Sequence, residues 1–278
     1  MRKNVLLLFS KLPEPGLVKT RLTTLKDGIF TPKAASVLYH CMLFDVVETC
    51  MAAFDELAAS TDDDAHDAYE LVISTAPEEN MPRMRALFED AGTWPRPISY
   101  AFDEGPSFDA HYDDAFDKAW AAGADCILSM GADMPALTTD DIVRGFRALH
   151  ELDDAKLPGI VLAPDQELGV SVIGWNKGVP FDHDGVFYHE EGLTVLPAYI
   201  RKAKAAGLAV RYLPPVPDVD TMADLAHAAT VVEALMYCAS FGLGARPHRT
   251  AKALDELGFA EIRIMPNGLM DPRSHIDR

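Results

Sequence analysis

Val5-Leu6-Leu7-Leu8-Phe9 runs straight into Ser10-Lys11-Leu12-Pro13-Glu14-Pro15-Gly16-Leu17-Val18-Lys19-Thr20-Arg21-Leu22. Five apolar residues in a row have strand length and show no polar alternation. That is the pattern of a strand covered on both faces, as in a parallel sheet between helices. In such sheets ligands bind beyond the carboxyl ends of the strands. The loop leaving this end carries Lys11, Lys19 and Arg21 on a backbone shaped by Pro13, Pro15 and Gly16. Lysine supplies point charge and arginine can hold two oxygens at once, so the loop suits a di- or triphosphate.

Working outward, further strands are predicted at 70–75, 97–102, 126–130, 160–163, 170–175 and 208–213. Helical periodicity is predicted over 32–54, 108–122, 139–149, 194–206 and 222–240. Alternating strands and helices predict an α/β fold, a mostly parallel sheet covered by helices on both faces. The short gap between 160–163 and 170–175 predicts a local antiparallel excursion. Residues 1–241 are expected to form one domain. Residues 242–278 read as a C-terminal extension with a short helix over 249–257 and a strand over 261–265. This tail is too small for its own core, so it is expected to dock on the main domain or on the partner subunit of a homodimer.

The chain has 278 residues and a formal net charge of −18. Such a surface repels nucleic acid and anionic lipid, which argues against both as partners. It also repels nucleotides, so a nucleotide-using protein of this charge needs a local basic loop and a metal. The four cysteines form no C-x-x-C pair and read as reduced thiols. The apolar run near the N-terminus is too short for a secretory or membrane segment, and the expected location is cytoplasmic.

Two acidic motifs also follow predicted strands. In Ser129-Met130-Gly131-Ala132-Asp133-Met134-Pro135, Gly131 lets backbone approach a ribose and Asp133 can hold Mg2+ or Mn2+. Thr138 or Thr139 is the better cap for the next helix, which leaves Asp133 free. In Pro217-Asp218-Val219-Asp220-Thr221-Met222-Ala223-Asp224, Thr221 and Asp224 make a capping box, while Asp218 and Asp220 are free to face a site. Weaker signals read blandly. The acidic run 61–67 is a surface loop, and Asp182-His183-Asp184 and His189-Glu190-Glu191 could bind a metal but read first as solvated turns, while Asp103-Glu104-Gly105-Pro106-Ser107 reads either as a turn with Ser107 as N-cap or as a contact to base or acceptor.

K-x-P-x-P-G-x-V-K-T-R-L, G-x-D-x-P-x-L and D-V-D-T-x-x-D-L, in this order over residues 5–225, resemble the glycosyltransferase-like family often encoded beside radical-SAM genes. More distantly the chain is similar to phospholactate and molybdenum-cofactor guanylyltransferases. The resemblance implies the nucleotide-diphospho-sugar transferase fold of glycosyltransferase-A type. It implies Lys19 and Arg21 as phosphate ligands and Asp133 and Asp220 as the metal site. Lys19, Arg21 and Asp133 would carry catalysis, with Lys11, Gly16 and Gly131 completing nucleotide binding. The family's acceptor stretch is altered here: Asp165 or Glu167 keeps the acid and Ser171 follows, but a glycine and a tyrosine are missing.

The expected activity is therefore metal-dependent transfer from an activated nucleotide to a small-molecule acceptor, with a nucleotide-sugar glycosyltransferase first. A nucleotidyltransferase acting on a phosphorylated acceptor is the alternative. An inactive nucleotide-binding partner protein is the reading from another class.

Overall fold

The computed structural model describes residues 1–26, 28–59, 67–189, 191–244 and 246–259. Among the described residues seven strands form one sheet in the order β3-β2-β1-β4-β6-β5-β7. They are β1 (Lys3–Phe9), β2 (Ala68–Thr75), β3 (Ile98–Phe102), β4 (Cys126–Gly131), β5 (Gly159–Pro164), β6 (Val170–Asn176) and β7 (Ala209–Tyr212). β3, β2, β1 and β4 are mutually parallel, β6 runs antiparallel to β4 and β5, and β7 is parallel to β5. The sheet is thus mixed with one reversed strand, which is the antiparallel excursion expected from the short 160–175 spacing.

Continuous apolar strands reflect burial on both faces. In β1, Leu6 and Leu8 join the core beneath α1 (Pro32–Ala59) and α4 (Thr139–Asp154), while Val5 and Leu7 join the opposite core. That second core lies under α3 (Phe108–Ala121) and α5 (Val195–Ala205). By length and composition α1 could cross a membrane, but 72% of its most apolar stretch is buried inside this protein. It is the core helix of the fold.

The helix starts are written locally. Thr138 and Asp141 form a capping box at α4, and Thr221 and Asp224 form another at α6 (Met222–Ala239). Ser107 Oγ accepts from Ala110 N at the start of α3. The sequence reading missed α2 (Asn80–Asp90), whose buried residues are Met84 and Phe88 alone. A short 3-10 turn at Thr20–Leu22 was missed as well.

The last described helix, α7 (His248–Glu256), lies against α1 and α6 of the same chain. Its Ala253 and Leu254 enter the α1 core. The strand expected over 261–265 and most of the acidic run 61–67 lie outside the described residues.

Candidate active site

The carboxyl ends of β3, β2, β1 and β4 open into a cleft of about 680 Å³. The loop after β1 enters it with Lys19 in the left-handed backbone region, φ 47°. A side chain with a Cβ is strained there by roughly 1–2 kcal/mol. The following 3-10 turn holds it: Leu22 N donates to Lys19 O at 2.9 Å, and Val18 and Leu22 are buried on either side. The backbone strain thereby carries the Lys19 side chain inward, where it is 6% exposed.

Lys19 Nζ donates to Asp133 Oδ2 at 2.5 Å and to Asp220 Oδ1 at 3.1 Å. Arg21 Nη1 donates to the other Asp220 oxygen at 3.1 Å. Burial opposes the Lys19 charge, but Asp133 and then Asp220 outweigh it and hold the ammonium above its usual range. Arg21 and Asp220 are water-exposed, so that pair adds little energy and mainly orients the groups. At position 131 a Cβ would lie 2.8 Å from Asp133 Oδ1, so glycine is what lets this carboxylate turn back over its own strand.

Asp218 also lines the cleft. Burial first, then the charges of Asp133 and Asp220, push it up to about 7. Asp133, Asp218 and Asp220 thus face two cations, Lys19 and Arg21. The Asp133 and Asp220 oxygens that hold Lys19 Nζ are of the hard type that a divalent cation such as Mg2+ or Mn2+ takes. The donor set would hold such an ion through Asp133 and Asp220.

The cleft brings together Lys11, Lys19, Arg21, Gly131, Asp133, Asp165, Ser171 and Asp220. Two expected residues fall outside its lining. Gly16 shapes the loop at φ 82°. Glu167 is exposed, and its N–H donates to Asp165 Oδ1 at 2.6 Å. The same Asp165 oxygen accepts from Gly169 N at 2.7 Å, so this carboxylate closes its own turn. Ser171 Oγ donates to Val216 O at 2.5 Å.

Sequence reading missed the aromatic side of the site. Tyr112 stacks on Phe9 with ring centroids 3.9 Å apart, and Phe108 and Phe187 complete the wall. It also misread His183 as a solvated turn. His183 is 0% exposed, ringed by Phe116, Trp175 and Tyr199, and its Nδ1 bonds Asp113 Oδ1 at 2.7 Å. Its acidic neighbours Asp182 and Asp184 face solvent, and they gave the stretch its polar look.

A separate group on α1 and α7, Asp45, Glu48 and His248, has its ligand atoms within 4.8 Å of one another, the geometry of a chelating cluster. Its occupants here are protein groups. Buried Asp45 accepts from Thr250 N at 2.7 Å and Arg249 N at 3.3 Å, while the Arg249 guanidinium bonds Glu48 at 2.7 Å. A carboxylate of α1 thereby caps the first turn of α7.

A family model described as "Uncharacterized protein conserved in bacteria (DUF2064)" matches residues 59–189. No curated protein matches the sequence. Among solved structures, a Desulfovibrio desulfuricans G20 protein provisionally described as a nucleotide-diphospho-sugar transferase superposes with a TM-score of 0.66 at 23% identity. That match covers 95% of this chain and all of the other. CMP:2-keto-3-deoxy-manno-octonic acid synthetase in complex with CTP superposes with a TM-score of 0.50 at 13% identity, covering 84% of this chain and all of the synthetase. The chain has the α/β fold of nucleotide-using transferases.

Proposed function

We propose that this protein is a metal-dependent nucleotidyltransferase acting on a small phosphorylated acceptor. The observation that carries the reading is the Lys19 ammonium fixed between Asp133 and Asp220 where parallel strands end. Cations and metal-type carboxylates meeting at one point are what a triphosphate with its metal requires. The bound metal would offset charge developing on the phosphates. Lys19 and Arg21 would bind the phosphate oxygens, and Lys11 would neutralise the cleft mouth. An acceptor phosphate oxygen attacks the α-phosphorus, the new P–O bond forms, the bond to the bridging oxygen breaks, and diphosphate leaves.

An acceptor phosphate is already ionised and needs no proton removed. This suits an acceptor side where Asp165 is engaged in its own turn and Glu167 lies outside the cleft. Glycosyl transfer from a nucleotide sugar, on a glycosyltransferase-A type fold, would use the same phosphate and metal groups, and the superposition on a nucleotide-diphospho-sugar transferase-like fold keeps it as the second reading. Product analysis separates the two. Incubation with each nucleoside triphosphate, Mg2+ and small phosphorylated acceptors is expected to release diphosphate and form a nucleotide-linked product. Release of nucleoside diphosphate from a nucleotide sugar, with no diphosphate from any triphosphate, would replace it with glycosyl transfer.

A further inference from the structure

The β5–β6 turn, where the sequence suggests an acceptor site, makes its bonds to the loop that carries Asp218 and Asp220. Gln166 lies in this turn, is exposed, and stands outside the cleft lining. Its Nε2 donates to Asp218 O and Asp218 Oδ1, both at 3.1 Å, and to Asp224 Oδ1 at 2.8 Å. In return Asp218 N donates to Gln166 Oε1 at 3.2 Å. A side-chain amide is both donor and acceptor, so one residue ties the two loops in both directions. Two more bonds join the same segments. Val216 N donates to Pro164 O at 2.9 Å, and Ser171 Oγ donates to Val216 O at 2.5 Å.

The loop is held from its other side as well. Val219, 0% exposed, donates its N–H to Asp133 O at 3.1 Å, and Asp220 N donates to Asp224 Oδ2 at 3.1 Å. Asp224 joins the two sets of bonds, because one of its oxygens accepts from Gln166 and the other from Asp220. The turn that presents Gln166 is itself rigid. Asp165 Oδ1 accepts from Glu167 N and Gly169 N, and Leu168 sits at φ 69°. A side chain with a Cβ persists in that backbone region only where its surroundings over-determine it. A Cβ at position 169 would lie 1.9 Å from Asp165 Oδ2, so the turn closes only on glycine.

Resting on the metal-dependent reading above, we infer that Gln166 is a positioning residue for the metal loop. It fixes residues 218–220 from outside the cleft and so sets Asp220 against Asp133, touching neither metal nor substrate. The stretch that departs from the family's acceptor pattern thereby serves the metal site.

Titration of Mn2+ in the presence of inorganic tripolyphosphate, followed by electron paramagnetic resonance on the full chain beside a thermal melt, tests this. The wild type is expected to bind Mn2+ under these conditions. Gln166→Met keeps the length of the stem and removes the amide. It should bind Mn2+ about three- to tenfold more weakly, the scale of one net hydrogen bond. Because the residue is exposed, the melting curve should shift little. Amide hydrogen exchange should quicken at Asp218 and Asp220 and stay unchanged at Asp141, in the separate capping box of α4. Mn2+ affinity equal to that of the wild type, with or without a shifted melt, would make Gln166 a contact of the fold alone. That result, or an affinity loss without faster exchange at Asp218 or Asp220, would overturn the inference and leave the metal reading standing. A wild type that binds no Mn2+ with tripolyphosphate would overturn the metal reading, and this inference with it.

Discussion

Lys19 and Asp133 are 114 residues apart in sequence, yet their side chains meet at 2.5 Å. The β1 loop and the β4 loop supply one residue each because β1 and β4 are parallel neighbours and both loops leave the same edge. The Lys19 ammonium lies between the Asp133 and Asp220 carboxylates and bonds both.

Replacing that ammonium therefore has two opposite effects. Lys19→Met should destabilise the metal-free protein by about 1–3 kcal/mol, because Asp133 and Asp220 lose their compensating charge. The same variant should bind Mn2+ several-fold more tightly in the absence of nucleotide, while its nucleotide affinity falls. Urea unfolding and a Mn2+ titration followed by electron paramagnetic resonance check both. Unchanged or weaker Mn2+ binding would show that Lys19 does not occupy the metal's position.

Asp218 gives the site a pH signature. Its folded pKa, about 7, is raised above the ordinary value of 3.8. The folded state therefore holds a proton that the unfolded state has lost between those values, and stability falls as pH rises through this window. Asp218→Asn should stabilise the metal-free protein at pH 8 and have a much smaller effect near pH 4. Thermal unfolding at the two pH values measures it, and an equal effect at both would remove Asp218 from the carboxylate cluster.

His183 works with the opposite sign. Burial lowers its pKa below 6.5, against the pull of Asp113, and burial lowers His40 and His150 as well. A histidine kept neutral by folding contributes stability that is present above about 6.5 and lost as pH falls below it. His183→Phe should flatten the loss of urea stability between pH 7.5 and 5. A wild-type slope retained in the variant would place the titrating group elsewhere.

All seven strands were legible because apolar runs of strand length admit few alternatives once Gly, Pro and capping residues bound them. The basic loop and the two acidic motifs were legible for the same reason, each following such a run. The helix Asn80–Asp90 was not, because two buried residues among Arg83, Arg85, Glu89 and Asp90 leave almost no apolar stripe. Ser74 Oγ and His111 Nδ1 both bond Asp103, and that chain was not legible because β2, the loop after β3 and α3 supply one residue each, although 103–107 carried a base or acceptor contact as one of its two readings. Burial of His183 depends on rings from α3, β6 and α5, which no local window contains.

The capping of α7 by Asp45 bears on the tail. Burial raises the Asp45 pKa, against the N–H groups of Thr250 and Arg249. Asp45→Ala should cost about 2–4 kcal/mol, since it strips partners from the first turn of α7 and opens a small cavity. Deleting 242–278 should bare the face of α1 and α6 that Ala253 and Leu254 cover and cause self-association. Size-exclusion chromatography and a thermal melt decide this, and a monomeric truncated protein of equal stability would make the tail dispensable.

The most direct measurement is calorimetric titration of the four nucleoside triphosphates, with and without Mg2+, into the wild type and Asp133→Asn. The Thr138–Asp141 capping box holds α4 independently of Asp133, so the variant is expected to fold normally. The wild type should bind at least one triphosphate in a Mg2+-dependent way, and Asp133→Asn should lose that dependence while its melting curve stays unchanged. Equal Mg2+-dependent affinity in both proteins, or no triphosphate binding by the wild type, would contradict the account.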